Sequence, residues 1–95
     1  MRKRLVIDVK PGPTPADADP AQVDGLPPRR VWWVEWRGFG RRDWWHLRSS
    51  AIEDARDYAR QHETFGGIAQ VVVHRLDGKI AREWTYGADP RAKKG

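Results

Sequence analysis

The stretch QVVVHRLDGKIAREWTY, residues 70–86, decides the fold. Its valines, Val71 to Val73, suit a pleated strand, and Asp77-Gly78 is the strongest short hairpin signal that a sequence offers. The stretch therefore predicts two antiparallel strands that share an apolar face, whereas the opposite face is mixed in polarity. A two-residue turn would set these cross-strand pairs: Arg75 with Ile80, Val73 with Arg82, Val71 with Trp84, and Ala69 with Tyr86.

A helix is predicted just before this hairpin. Apolar residues recur every three or four positions from Ile52 to His62, so one stripe of the helix can lie on a sheet. Ser50 and Glu53 have the spacing of a capping box, in which a hydroxyl and a carboxylate each accept a backbone amide at the helix start. Gly66-Gly67 is expected to end the helix.

A second hairpin is predicted before the helix, connected by residues 37–42. Its strands, Val31 to Trp36 and Asp43 to Arg48, alternate in side-chain direction as half-buried strands do. This alternation divides the tryptophans between the two sides of the sheet. The helix is expected to shelter Trp32, Trp36 and Trp45, and the tryptophans expected to point away from it are Trp33 and Trp44.

The element order strand, strand, helix, strand, strand predicts an α+β domain of two layers, with one helix packed across an antiparallel sheet. Residues 29–95 would form this single ββαββ domain, with a short basic C-terminal tail. Residues 1–10 form a basic segment with a further strand at an edge of the sheet. Residues 11–28 hold six of the seven prolines, which lack backbone donors, so we expect a linker or arm and exclude a central strand.

Composition limits the function classes. The 95 residues carry a net charge of +5, contain no cysteine and have a mean hydropathy of -0.82. Disulfides and thiolate metal sites are therefore excluded. No apolar run approaches the roughly 18 residues that a membrane helix needs, so we expect a cytoplasmic protein that does not bind membranes.

Five short segments carry a resemblance to a known family: Trp32-Trp33-Val34, Ala51-Ile52-Glu53-Asp54-Ala55-Arg56, Val72-Val73-His74, Asp77-Gly78-Lys79-Ile80 and Tyr86-Gly87-Ala88-Asp89-Pro90. With these segments, residues from about 32 to 95 resemble the bacterial family known as domain of unknown function 2188. The resemblance covers about two thirds of the chain and implies the same fold. Because that family has no assigned activity, it implies no mechanism. The helix-start threonine that the resemblance implies falls on Leu47 in this chain.

Catalysis is not expected. His46, His62 and His74 lie on different predicted elements, and no two of them have the spacing of metal ligands. Ser49 and Ser50 are explained as helix caps. The chain has no glycine-rich phosphate loop and no histidine–carboxylate pair at a useful spacing. We therefore expect a non-enzymatic protein without metal, cofactor or small-molecule substrate.

Contact with single-stranded DNA or RNA is the more specific binding hypothesis. Exposed aromatic rings stack on bases at about 1–3 kcal/mol each, and arginines neutralise phosphates. A surface with both features is predicted on the first hairpin. Its residues are Trp33, Trp44, Arg37, Arg41, Arg42 and Arg48.

Self-association is the alternative. Large apolar patches seldom stay exposed on a monomer, and a sheet face that bears tryptophans is a natural twofold contact. The protein would then be a homodimeric protein–protein interaction module without a role in nucleic-acid binding. A dimer with basic grooves would satisfy both hypotheses.

Overall fold

The computed structural model describes residues 4–18 and 25–87. The N-terminal residues 1–3 and the predicted basic C-terminal tail lie outside this description. In chain order the elements are β1 (Arg4–Pro13), β2 (Arg30–Trp36), β3 (Gly40–Trp45), α1 (Arg48–Thr64), β4 (Ile68–His74) and β5 (Ile80–Tyr86). Within the described part of the chain, no helix combines the length and apolarity needed to cross a membrane.

The five strands form one sheet in the order β3-β2-β1-β4-β5. β1 is antiparallel to β2 but parallel to β4, and the two remaining neighbours are antiparallel pairs. The predicted α+β class is thus confirmed. The prediction of a wholly antiparallel sheet is wrong, because β1 lies between the two hairpins and runs alongside β4.

β1 lies at the centre of the sheet. The prediction that it lies at an edge is wrong. Ile7 pairs with Trp36 of β2 on one side and with Val71 of β4 on the other. Ile7, Asp8 and Val9 are consecutive and all buried, so both faces of the strand are covered here. A strand covered in this way needs neighbours on both sides to pair its backbone groups.

Two prolines, Pro11 and Pro13, extend this central strand. The amide of Thr14 donates to the carbonyl of Arg29 at 2.8 Å, so even-numbered residues of β1 are the ones that bond to β2. The proline nitrogens therefore point away from β2, and the pairing of β1 with β4 has already ended at Val9. The exclusion of residues 11–28 from a central strand is thus wrong, because the missing donors face no neighbouring strand.

The far end of the predicted arm is packed against the domain of its own chain. Leu26 is fully buried and belongs to the hydrophobic core. Residues 19–24, between this anchor and the end of β1, lie outside the described residues.

The core lies between α1 and the sheet face that α1 covers. Ala51, Ala55 and Ala59 recur once per turn and are all buried. Small side chains on this stripe let the helix approach the sheet closely. The other buried members of the core are Leu5, Ile7, Val9, Leu26, Trp32, Val34, Ala69, Val71 and Val73.

α1 begins earlier than predicted and without a side-chain cap. Its N-cap is Leu47, which forms no side-chain hydrogen bond to the helix start. Ser50 lies within the first turn, so the predicted capping box of Ser50 and Glu53 is wrong. Leu47, where the resemblance implied a helix-start threonine, is the N-cap itself.

The hairpin between β4 and β5 closes through three loop residues instead of two. The amide of Gly78 donates to the carbonyl of Arg75 at 3.0 Å, and the amide of Arg75 donates to the carbonyl of Lys79 at 2.7 Å. Gly78 has φ of 87°, which suits the left-handed residue that follows a type I turn in such hairpins. His74 therefore pairs with Ile80, and the predicted Arg75–Ile80 pair is wrong. The confirmed pairs are Val73–Arg82, Val71–Trp84 and Ala69–Tyr86.

Candidate binding face of the sheet

The sheet face opposite α1, here called the open face, carries two tryptophans side by side. Trp33 of β2 pairs with Trp44 of β3, whereas Trp32 and Trp45 pair on the helix side. The predicted division of the tryptophans between the two faces is thus confirmed. The polar side chains that the strands place on the open face include Asp8, Lys10, Glu35, Arg41, Gln70, His74, Glu83 and Thr85.

A β-bulge separates two of the predicted arginines. Val34 pairs with Asp43 and Glu35 pairs with Arg41, which leaves Arg42 as the extra residue. Arg41 therefore lies on the open face. The guanidinium of Arg42 lies 4.5 Å from the ring centroid of Trp36, on the helix side. The prediction that Arg42 lies beside Trp33 and Trp44 is therefore wrong, because Arg42 is the extra residue of the bulge and its side chain lies on the helix side.

Arg48 also lies away from the open face. It is the first residue of α1, and its guanidinium lies 5.8 Å from the ring centroid of Trp32. Trp45, which the helix was expected to shelter, is 41% exposed. Its indole nitrogen donates to Asp54 of α1 at 3.1 Å. The helix therefore contacts the edge of the Trp45 ring and leaves much of the ring exposed.

Three groups position Trp33. Its indole nitrogen donates to the carbonyl of Pro13 at 2.8 Å, and the guanidinium of Arg41 lies 4.7 Å from its ring centroid. Its ring also approaches Gly12 so closely that a Cβ atom there would lie 2.5 Å from Cδ1 of Trp33. The half-buried ring is therefore fixed in place on the sheet.

Trp44 makes an aromatic contact with the next residue on the same face. Its ring and that of His46 meet edge to face, with centroids 5.3 Å apart. Such a pair contributes about 0.5–1.5 kcal/mol beyond the area that it buries. Trp44 is half-buried, so part of its surface remains accessible for binding.

Asp8 is the centre of the charge network on the open face. Asp8 is only 5% exposed, and its carboxylate accepts hydrogen bonds from Arg37 at 2.6 and 3.0 Å, while His74 Nε2 lies 2.8 Å from Oδ1. Burial alone raises the pKa of Asp8, but the hydrogen bonds and charges of Arg37 and His74 outweigh burial, so the pKa lies below 3.8. Charge-assisted bonds of this kind are strong enough to keep the carboxylate ionised.

Asp8 and His74 form a histidine–carboxylate pair, although the sequence has no such pair at a useful spacing. The two residues are 66 positions apart and meet only because β1 lies beside β4. No local spacing could have identified this pair. The only available signal was that each residue continues a run of β-branched residues.

Glu35 is the centre of a second charge network. It accepts a hydrogen bond from Arg41 at 3.1 Å and lies 3.4 Å from the ammonium of Lys10. At the far side of the face, the amide of Gln70 donates to Glu83 at 2.7 Å. Three cations, those of Lys10, Arg37 and Arg41, thus share the face with three carboxylates, those of Asp8, Glu35 and Glu83.

The charged centre of the open face is shallow. A depression of about 390 Å³ is lined by Asp8, Lys10, Glu35 and His74, together with residues of the β2–β3 turn. Across residues 4–18 and 25–87, no three His, Asp or Glu side chains converge as metal ligands. The arrangement can therefore offer ion pairs, hydrogen bonds and aromatic surface to a partner.

Residues 46–86 match the family model described as an uncharacterized protein conserved in bacteria, domain of unknown function 2188. The resemblance inferred from the sequence is thereby confirmed over this segment, which contains α1, β4 and β5. The matched segment is shorter than the predicted 32–95 and leaves out Trp33 and Trp44. No curated protein and no solved structure matches the chain.

Proposed function

We propose that this protein is a non-enzymatic binding module that binds a second copy of itself through the open face. The single observation that carries the proposal is the pairing of every cation in the two charge networks with a carboxylate, beside the half-buried Trp33 and Trp44. Protein interfaces are enriched in aromatic and arginine side chains, and their cores are depleted of unpaired charge. The cytoplasmic location remains a prediction.

The paired charges favour a protein partner over a phosphate chain. Arg37 binds Asp8 through two hydrogen bonds, so a phosphate would have to compete with a nearly buried carboxylate. A second copy of the same face meets no such competition, since its own charges are paired as well. In a twofold contact the two aromatic pairs can pack against each other, because the same patch contributes from both subunits.

The oligomeric state tests this proposal. Sedimentation equilibrium of the full chain over a range of concentrations should show a monomer–dimer equilibrium. Trp44→Glu should shift that equilibrium to monomer, because it places an unpaired charge in the contact. Trp45→Glu is the matched control, since Trp45 is the next residue along β3 and lies on the helix side.

Two results would overturn the dimer proposal. One is a parent protein that stays monomeric at every concentration up to the millimolar range. The other is a dimer that Trp44→Glu and Trp45→Glu weaken equally. Circular dichroism of both variants must first show the parent content of helix and strand.

A second candidate function is weak contact with single-stranded DNA or RNA. The observation that favours it is the cross-strand pair of Trp33 and Trp44, with Arg41 over the ring of Trp33. Exposed ion pairs such as Arg41–Glu35 contribute about 0–1 kcal/mol, so a phosphate can replace Glu35 at little cost. Arg37, held by Asp8, is the less available of the two arginines.

Tryptophan fluorescence tests this second function. At low salt, an unstructured oligonucleotide should quench the parent protein, and added salt should weaken the binding by counterion release. Trp44→Ala should reduce the affinity, whereas Trp45→Ala should leave it unchanged. Absence of quenching in the parent protein at low salt would exclude nucleic acid as the partner.

A further inference from the structure

The outer edge of β5 is open. β5 is the last strand of the sheet, and among residues 4–18 and 25–87 no strand pairs with its outer side. Such an edge has unpaired backbone N–H and C=O groups, which can pair with another extended segment. From Arg82 to Tyr86 the pairing of β5 with β4 is continuous, whereas the other edge strand, β3, is interrupted by its bulge. The edge of β5 therefore has the longer regular stretch.

Two arginines lie against one indole ring beside this edge. The guanidiniums of Arg56 on α1 and Arg82 on β5 lie 4.8 and 4.9 Å from the ring centroid of Trp84. Nε of Arg56 also donates to the hydroxyl of Tyr86 at 2.6 Å. The three residues of β5 pair with core residues of β4, so their side chains lie on the helix side. We call Arg56, Arg82, Trp84 and Tyr86 the edge cluster.

The edge cluster lacks a carboxylate. Among the residues that the structure describes, neither Arg56 nor Arg82 forms an ion pair, and Asp57, next to Arg56, pairs with Arg60 instead. The open face differs, because its cations are paired with carboxylates. Two guanidiniums beside one ring repel each other, and an anionic group between them would offset that repulsion. The edge cluster thus suits an anionic partner.

Both arginines have donors left for such a partner. A guanidinium has five N–H groups in one plane, and the bond to Tyr86 uses one of those of Arg56. Arg82 is exposed, while Arg56 and Trp84 are half-buried, so a partner at the edge can reach the cluster. The indole ring also restricts both guanidiniums, so they lose less freedom when they bind a carboxylate.

We propose that the edge of β5 binds an acidic, extended segment of a partner protein as an additional strand. In this mode the main-chain hydrogen bonds supply affinity, and alternate side chains of the added strand supply specificity. Alternate residues of a strand face the same side and are roughly 6.6–6.8 Å apart. A segment with carboxylates at alternate positions can therefore place one beside Arg82 and the next beside Arg56, where each can form charge-assisted hydrogen bonds.

Charge and backbone chemistry favour this occupant over two others. A second copy that paired through the same edge would bring two edge clusters together, and like charges placed opposite each other are destabilising. A phosphate chain can meet the arginines, but it has no N–H donors for the unpaired backbone carbonyls of the edge. An acidic peptide supplies both the carboxylates and the backbone donors.

The probe is a short peptide of alternating glutamate and threonine, blocked at both ends and labelled with a fluorophore. Fluorescence anisotropy with the full chain should show saturable binding, and the same peptide with lysine in place of glutamate should not bind. Two further peptides are methylated on the glutamate nitrogens or on the threonine nitrogens, which blocks opposite edges of the added strand. The set that faces β5 should weaken binding about tenfold or more, and the other set should not.

Variants locate the site. Arg56→Gln and Arg82→Gln should each weaken binding about tenfold or more, since each removes a charged donor. Arg30→Gln is the matched control, because Arg30 is an exposed arginine at the start of β2, and it should change the affinity less than about twofold. Bound peptide should also slow hydrogen exchange at those amides of β5 that face away from β4.

The proposal is overturned if the glutamate peptide does not bind up to millimolar concentration, or if the lysine peptide binds equally well. It is also overturned if neither methylated peptide binds more weakly, or if Arg30→Gln acts like Arg82→Gln. Tighter binding of a single-stranded oligonucleotide that depends on Arg56 and Arg82 would assign the edge cluster to a phosphate chain instead. An effect of Arg82→Gln on the monomer–dimer equilibrium would assign the edge to a second copy.

The site is independent of the open face, since the edge cluster lies on the helix side of the sheet. Trp44→Glu should therefore leave the affinity for the peptide unchanged. Loss of peptide binding in Trp44→Glu would contradict that independence and overturn the assignment of the peptide to the edge of β5.

Discussion

The indole of Trp33 lies against the backbone of Gly12, closely enough to leave no space for a Cβ atom at that position. The ring cannot move aside freely, because the carbonyl of Pro13 accepts its N–H and Arg41 lies over it. The glycine at position 12 is therefore required by this close approach and not by an unusual backbone angle.

We predict that Gly12→Ala lowers the free energy of unfolding by about 1–3 kcal/mol, the usual cost of overpacking. In a Trp33→Ala background the same substitution should cost little, because the indole that meets the new methyl group is gone. Urea unfolding of the four proteins measures both effects. An equal cost of Gly12→Ala in the two backgrounds would show that Trp33 is not the constraint.

Leu26 should anchor the proline-rich segment to the core. Because its side chain is fully buried, Leu26→Ala removes apolar contacts and leaves a cavity, which typically costs about 2–5 kcal/mol. Leu76→Ala is the matched control, since Leu76 is 56% exposed, and it should cost far less. If thermal unfolding gives the two variants the same loss, the segment contributes no core packing.

The uncapped start of α1 offers a route to higher stability. Leu47 is 47% exposed, so replacing it removes little packing. Leu47→Thr should be about 1 kcal/mol more stable than Leu47→Ala, because only threonine can accept a hydrogen bond from the first turn. Chemical denaturation of the two variants measures this difference. Equal stabilities would mean that the backbone at position 47 cannot adopt a capping geometry.

Asp54 should make stability fall with rising pH. Burial and a hydrogen bond with Asp43 raise its pKa from 3.8 to about 6, so the folded protein keeps a proton that the unfolded chain releases. The contribution of this proton is fully present below pH 3.8 and is lost as the pH rises through 6. Asp54→Asn should remove this fall, while its amide oxygen still accepts the indole N–H of Trp45.

Unfolding free energies at several pH values between 4 and 7.5 check this prediction, and an unchanged pH profile in Asp54→Asn would contradict it. Asp8 provides a comparison of opposite sign. Its folded-state pKa is lowered, so its stabilising contribution is present above 3.8 and is lost as the pH falls below that value. In Asp8→Asn the free energy of unfolding should therefore fall less at acidic pH, and its change at higher pH should stay as in the parent protein.

Local patterns were sufficient for α1 and both hairpins. The alternation around Val71 and Trp84 identified their shared face. The three-residue loop at Gly78 shifts the pairing by one residue, and the register shift between Val73 and His74 restores the predicted pairs beyond it. The division of Trp33 and Trp44 from Trp32 was also predictable, because side chains of a strand alternate whatever its neighbours are.

The centre of the sheet was not predictable from local patterns. Parallel pairing of β1 with β4 has no turn between the strands to indicate it, so the contact of Asp8 with His74 has no local signal either. The prolines at positions 11 and 13 indicated that the strand ends before them, although β1 extends to Pro13. The bulge at Arg42 could not be read from alternation, and it moved one predicted arginine to the other face.

The position of β1 has a consequence for synthesis on the ribosome. β1 is translated first, but its parallel neighbour β4 leaves the exit tunnel only after β2, β3 and α1 have been made. Until then one side of the nascent β1–β2 ribbon has unpaired backbone groups, which are prone to pair with other chains. The speed of translation between the two strands therefore sets how long that edge stays unprotected.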